Sequence, residues 1–477
     1  MEDGDEMPPG EVQLNRVLNL RTATLVVAGT MIGAGVFKKI VPMAATGLDQ
    51  TFILLAWVTA GVITLFGAFT FAGLSKLTTA SGGAYEYLRI CYNDLVAFLL
   101  GWGCFAIIGS GAIAALAFIF AQSLQALVPL PELLPGQAHL SIGHFIYPFA
   151  SANIKIIAVS AILLLTGYNY LGVKKATRLN NLVTGAKIAG ILFLVIAGLM
   201  WAAPGTHTGT RVAGPGVHEL SFGIFFSALL SAFWAYDGFS NVSAATGEIR
   251  NPKRNVGIAI VAGVCLVMVL YVLTNYAYTR VLPLSSLAAM GENSIAATEV
   301  AGKILGNGGR IFISVLIVLS TFGALNVLIL LYSRLYYRMA QENYFFKRAA
   351  AVHPVYRTPH YALLYSMVWS AVLVISGTFD MLTNIVVFTA FAFYTLLAIV
   401  LIKMKVKKVL AGRVAWYPVA PVLFILTTGV FLVNTLVTNT RQTLSGILLV
   451  ASGLPFYYYF KARASRAVKQ DREKPAS

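Results

Sequence analysis

The sequence predicts an all-α, polytopic membrane protein with twelve transmembrane helices, and three observations carry that prediction. Of the 477 residues, 58% are hydrophobic and only 11% charged, whereas soluble domains carry roughly 25% charged residues. Twelve apolar runs can be marked off, at 22–46, 51–74, 94–128, 154–172, 181–203, 220–248, 255–279, 309–341, 361–377, 380–403, 416–438 and 443–461. Most are close to the ~20 residues that a spanning helix needs. The connections are too short to hold a soluble domain, and the longest, 129–153, is rich in Pro and Gly.

Loop charge sets the orientation. With the N-terminus placed in the cytoplasm, 26 of the 35 Lys and Arg fall on the cytoplasmic side. Eight fall outside: Lys38, Lys39, Lys155, Arg211, Arg280, Lys303, Arg310 and Arg441. Both termini are therefore expected in the cytoplasm. Residues 1–20 form an N-terminal tail with no cleavable signal ahead of the first run. Residues 462–477 form a basic tail near anionic lipid headgroups. The net charge of +17 belongs to these loops and tails. Nucleic-acid binding, which needs a basic soluble face, is not expected. Cys91, Cys104 and Cys265 show no metal spacing and no disulfide framework. No metal or cofactor is expected.

The first run is interrupted from within. Gly29-Thr30-Met31-Ile32-Gly33-Ala34-Gly35-Val36-Phe37 places three glycines in seven residues mid-span, where each costs a helix up to about 1 kcal/mol relative to Ala. A break at that depth frees N–H and C=O groups, tolerated only where they line a cavity or a ligand site. The alternative is that the glycines let helices pack closely. The sixth run repeats the anomaly at Phe233-Trp234-Ala235-Tyr236-Asp237-Gly238-Phe239-Ser240-Asn241. Two interrupted spans five apart indicate an inverted repeat. Its halves are residues 21–203 (helices 1–5) and 220–405 (helices 6–10), with helices 11–12 appended at 416–461. The facing breaks would suit a zwitterion, with N–H groups for a carboxylate and freed carbonyls for an ammonium.

Asp237 reads as a paired structural acid or as a site residue; an acid within the membrane favours the second. Trp234 and Tyr236 read as packing aromatics or as a lid. Lys187, in the fifth run, either snorkels to the headgroups or sets a fixed ammonium beside the first break. In the second case it donates to carbonyls that a sodium ion would otherwise take, and protons become possible partners. All six histidines fall in expected loops: His139, His144, His207, His218, His353 and His360.

The motifs carry a resemblance to a known family. Gly29 to Phe37 is similar to the G-x-x-I-G-x-G-[IV]-F of helix 1 in the amino acid–polyamine–organocation (APC) superfamily. Ser81-Gly82-Gly83-Ala84-Tyr85-Glu86-Tyr87, Gly101-Trp102 and Asn169-Tyr170-Leu171-Gly172-Val173-Lys174 follow in family order. So do Phe233 to Gly238, Gly247 to Asn255, Ser320 to Asn326 and Ser333-Arg334. The chain most resembles the bacterial L-type amino acid transporter (LAT)-like exchangers and permeases, whose fold is the LeuT-type 5+5 inverted repeat with broken helices 1 and 6.

The resemblance implies an amino acid site at Met31, Ile32, Gly33, Ala34, Gly35, Trp234, Ala235, Tyr236, Asp237 and Gly238. The carboxylate would lie on the N–H groups of Gly33, Ala34 and Gly35, and Trp234 would be the gate. Lys187 matches the helix 5 lysine of sodium-independent members. Three positions depart from the pattern: Ala34 where many members have Ser, Lys76 where an acid is common, and Phe239 where LAT members often have Trp. Animal members join a heavy chain through a Cys between helices 3 and 4. No Cys lies between Cys104 and Cys265, so that partner is not expected.

The expected function is sodium-independent amino acid transport across the cell membrane by alternating access, as an exchanger. A proton-coupled amino acid or polyamine symporter is the alternative. A membrane-embedded sensor or enzyme is more distant, since no metalloprotease motif, P-loop or catalytic carboxylate pair occurs in the spans.

Overall fold

The computed structural model describes residues 18–78, 83–137, 140, 148–171, 176–201, 222–291, 293–410 and 412–472. The N-terminal tail to residue 17, Ser81-Gly82, Gly172 to Lys175, Arg211, Lys474 and four of the histidines (139, 144, 207 and 218) lie outside the described residues.

The architecture is helical, with no strand among the described residues. The elements are α1 Leu20–Met31, α2 Gly35–Lys38, α3 Ile40–Ala45, α4 Gln50–Leu74, α5 Gly83–Cys91 and α6 Asp94–Gly103. Then come α7 Gly109–Leu127, α8 Ala152–Tyr170, α9 Ala176–Met200, α10 Phe222–Tyr236, α11 Pro252–Val281 and α12 Leu284–Ala288. The remainder are α13 Ala296–Gln341, α14 His360–Ser376, α15 Phe379–Val406, α16 Val419–Thr438, α17 Thr440–Ala451 and α18 Gly453–Arg472. Ten helical segments among the described residues are long and apolar enough to cross a membrane. Two shorter apolar helices, α1 and α14, fall on the first and ninth candidate runs.

Short polar residues start several of these helices, as the orphan N–H groups of a first turn require. Asn19 accepts from Thr22 N at 2.9 Å, Asp49 from Phe52 N at 3.0 Å and Asn93 from Val96 N at 2.9 Å. Expected and observed boundaries differ most in α13, which begins 13 residues before the run marked at 309. Gly306 (φ 64°, ψ −150°) kinks it. The polar turns ahead of the kink carry Glu299, paired with Arg310 at 2.9 Å.

Burial shows which helices are central. In the continuous segment Asp94–Leu127, 89% of the spanning window is buried, against 33% in α16. α7 is rich in small residues, Gly109-Ser110-Gly111-Ala112 and then Ala114, Ala115 and Ala117, and its glycines leave room for the side chains of Tyr332 and Val386. Between α6 and α7 a π-helical turn spans Cys104–Ile108. Such a turn disturbs the helical ladder, and side chains from other helices answer its carbonyls. Tyr336 Oη donates to Cys104 O at 3.0 Å and Trp369 Nε1 to Ala106 O at 2.8 Å.

The two ends of the bundle are held differently. At one end, Glu342 accepts from Tyr85 Oη at 2.9 Å and pairs with Arg89 (3.4 Å) and Arg338 (3.3 Å). Glu86 and Arg89 pair at 2.6 Å. At the other end, Lys39 pairs with Asp380 at 2.6 Å and bonds Thr383 at 2.7 Å. Lys38 bonds Gln122 at 2.9 Å, and Gln122 bonds Asn293 at 3.0 Å. Lys38, Lys39 and Lys155 are buried (1%, 1% and 6% exposed). Three of the eight cations counted above as outer loop charges are therefore internal ones.

Candidate functional site

The first interruption falls at Ile32-Gly33-Ala34, between α1 and α2. Ile32 N still reaches back to Ala28 O at 2.8 Å, but its ψ of 82° ends the helix. Gly33 N then turns onto Met31 O at 2.8 Å. The N–H groups of Ala34, Gly35 and Val36 have no acceptor among the described residues. They open a new helical stretch and so carry its partial positive charge.

The carbonyls freed at the end of α1 are taken by side chains from elsewhere. Lys187, on α9 and only 2% exposed, donates to Ile32 O at 3.1 Å and to Gly29 O at 3.4 Å. Tyr271, on α11 and fully buried, donates to Met31 O at 2.7 Å and to Ala235 O at 3.1 Å. A single hydroxyl thus lies on both interrupted helices.

The second interruption follows Tyr236. Asp237 N closes the last turn of α10 on Phe233 O at 2.9 Å, and Gly238 then takes φ +98°. Only glycine enters that region without cost. A Cβ on Gly238 would also lie 2.9 Å from Thr30 O. The carbonyls of Trp234 and Tyr236 have no donor among the described residues. Asp237 accepts from Tyr394 Oη at 2.9 Å, and Tyr394 Oη in turn accepts from Ser240 Oγ at 3.3 Å.

The two interruptions touch. Thr30 Oγ1 donates to Gly238 O at 3.1 Å. Gly35 faces Ala235 so closely that a Cβ there would lie 2.5 Å from Ala235 Cα. Met31, Ile32, Gly33, Ala34 and Gly35 are thus brought against Trp234, Ala235, Tyr236, Asp237 and Gly238. All ten are buried except Asp237, which is partly exposed. Trp234 packs edge-on to Phe379 at 6.1 Å, just before the Lys39–Asp380 pair. Beneath the breaks, Trp57, Tyr236 and Tyr271 form a ring cluster with centroids 5.2 to 6.0 Å apart.

The chain belongs to the amino acid permease family. Its family model matches residues 18–456. Among curated relatives, the serine/threonine exchanger SteT of Bacillus subtilis is 31% identical over 94% of this chain and 98% of its own length. The b(0,+)-type amino acid transporter 1 of Homo sapiens is 28% identical over 95% of this chain and 89% of its own. The human cystine/glutamate transporter is 27% identical over 96% and 88%. This amino acid permease is accordingly a multi-pass cell-membrane protein that transports amino acids and is not an enzyme.

Sequence reasoning missed several participants in the site. Tyr271, one of three tyrosines in its run, and Tyr394 sit in apolar runs without the glycine clusters that exposed the breaks. A signal for Tyr271 does exist: Thr274-Asn275 follows within one turn, making that stretch of α11 polar mid-span. Lys39 and Asp380 sit 341 positions apart, a pairing that only the fold brings together.

Proposed function

We propose that this permease is a sodium-independent amino acid exchanger that works by alternating access. The observation that carries the reading is the pair of contacts from Lys187 to Gly29 O and Ile32 O, at 3.4 and 3.1 Å. A monovalent cation at the end of a broken helix needs such carbonyls. Here a covalently fixed ammonium has them already. The chain would form twelve spans, with α1 to α3 as the broken first and α14 as the ninth, and both termini in the cytoplasm. Residues 21–203 and 220–405 would be the inverted repeats, rocking about the site, with helices 11 and 12 at 416–461 outside that symmetry.

Within the site, the substrate carboxylate would lie on the N–H groups of Ala34, Gly35 and Val36, since the Gly33 N–H is already on Met31 O. Compared with the expectation from sequence, the anion end moves one residue onward. Ala34 offers no hydroxyl there, so the backbone alone holds the carboxylate. The ammonium would take the carbonyls of Trp234 and Tyr236. Trp234 would cover the site from the side of Phe379. The Asp237 carboxylate is engaged by Tyr394, which favours a neutral over a cationic amino acid or a polyamine. The 31% identical relative named as a serine/threonine exchanger supports exchange between small neutral amino acids.

A second reading, proton-coupled uptake, is favoured by one observation. Lys187 donates to the neutral carbonyls of Gly29 and Ile32, so its ammonium has no anionic partner there to hold its proton, and the neutral amine could still donate to both. Flux into proteoliposomes separates the two. Exchange predicts that labelled serine enters only vesicles preloaded with unlabelled amino acid. Uptake into empty vesicles driven by a pH gradient would instead establish symport.

A further inference from the structure

Apart from the transport site, the end of the bundle that holds Glu86, Arg89 and Glu342 carries a cavity of about 940 Å³. It lies between the short 3₁₀ turn Lys347–Ala350, the start of α14 and the outer face of α18. Its walls combine two chemistries. Lys347, Arg348 and Arg463 supply three cations, and Phe346, Phe456 and Tyr459 supply an aromatic floor. No lining residue is acidic. The three cationic side chains are exposed. Among the described residues, none of them has a hydrogen-bond or ion-pair partner.

The contrast with the rest of this end is informative. Arg89 and Arg338 are spent on Glu342, and Lys403 bonds the Cys91 carbonyl at 3.3 Å. Three unneutralised cations around one hollow repel each other, and a cluster of that kind gains from an anion between them. The aromatic floor asks for something further, an apolar body attached to that anion. Beside the cavity the apolar surface continues outward, with Leu454 on α18 and Leu364 and Val368 on α14 all exposed. Aromatic rings next to cations at the end of membrane-spanning helices suit the level of the lipid headgroups.

We infer that this cavity is a binding site for an anionic phospholipid, its phosphate among Lys347, Arg348 and Arg463 and its glycerol and upper acyl chain over Phe346, Phe456 and Tyr459. The site is separate from the substrate site but not isolated from it. Phe346 meets Phe345 edge-on (5.0 Å), and Phe345 stacks on Tyr336 (5.7 Å), whose hydroxyl holds the π-helical turn at Cys104.

Native mass spectrometry of the purified full-length protein, titrated with phosphatidylglycerol or phosphatidylcholine, tests this. Each cation is worth about fivefold in affinity for an anionic lipid, or roughly a hundredfold for three. The wild type should retain one phosphatidylglycerol in preference to phosphatidylcholine. The triple variant Lys347→Gln, Arg348→Gln, Arg463→Gln should lose that preference. A control triple variant at exposed cations elsewhere, Lys253→Gln, Arg254→Gln, Lys407→Gln, should keep it. Equal loss in the control would overturn the proposal, as would equal retention of the two lipids by the wild type. A third arm uses the wild type alone and depends on no variant folding: inorganic phosphate should fail to displace the lipid. Full displacement would make the cavity a site for free anions and contradict the lipid assignment.

Discussion

The two interruptions meet at the candidate site but are held by different means. The second supplies more of its own groups: Gly238 provides the left-handed residue, and Asp237 and Ser240, its close neighbours, provide polar side chains that meet Tyr394, with further donors arriving from Thr30 and Tyr271. The first has neither a positive φ nor a polar side chain at Ile32, Gly33 or Ala34. Its freed carbonyls depend on Lys187 from α9 and Tyr271 from α11. A break that carries its own polar groups is a local property. A break supported from two other helices is coupled to wherever those helices go, which would suit the segment that moves under the proposed alternating access.

The sharpest way to break this comparison is steric. Gly35→Val should abolish transport, a loss beyond about a hundredfold, because the backbone of Ala235 lies where the new Cβ must go. Gly33→Ala should stay within a few-fold of wild type, since its Cβ would meet nothing closer than Leu116 at 3.5 Å, an ordinary contact. Uptake rates normalised to membrane-inserted protein decide this. Near-normal flux in Gly35→Val would mean that the close approach of the breaks is unnecessary.

Removing the borrowed support comes next. Lys187→Met leaves Gly29 O and Ile32 O without a donor, and each buried group left unpaired costs about 1–3 kcal/mol. Transport should fall roughly tenfold to a hundredfold, and a monovalent cation added to the assay should restore part of it. Flux that is unchanged in both conditions would remove Lys187 from the account.

A smaller pair of effects separates the breaks more finely. Tyr271→Phe strips one donor from two carbonyls, one on each interrupted helix, and should raise KM about tenfold. Tyr394→Phe takes a donor only from Asp237, whose carboxylate is partly exposed, and should cost no more than a few-fold. The reverse order would mean that the second break, not the first, is the dependent one.

These differences also mark how far the sequence could be read. The breaks were legible because glycines stand beside polar residues mid-span, Gly29-Thr30 and Asp237-Gly238, in two runs five apart, and Lys187 because an isolated charge in a span demands a partner. The register within the first break was not legible. Gly33 turning its N–H onto Met31 follows from backbone angles, which a G-x-G pattern leaves open. The lysines at 38 and 39 looked like loop charges because they sit near the end of a run. Their burial depends on Gln122, Asp380 and Thr383, supplied from far along the chain. The π-helical turn at Cys104–Ile108 left no mark in the sequence, since its residues are ordinary apolar ones.

The central claim is that a fixed ammonium stands where a coupling cation would be. Initial rates of labelled serine uptake into amino acid-loaded proteoliposomes, measured as sodium is replaced stepwise by choline, test it most directly. The account predicts a flat profile down to zero sodium. A saturable rise in rate with sodium would contradict it.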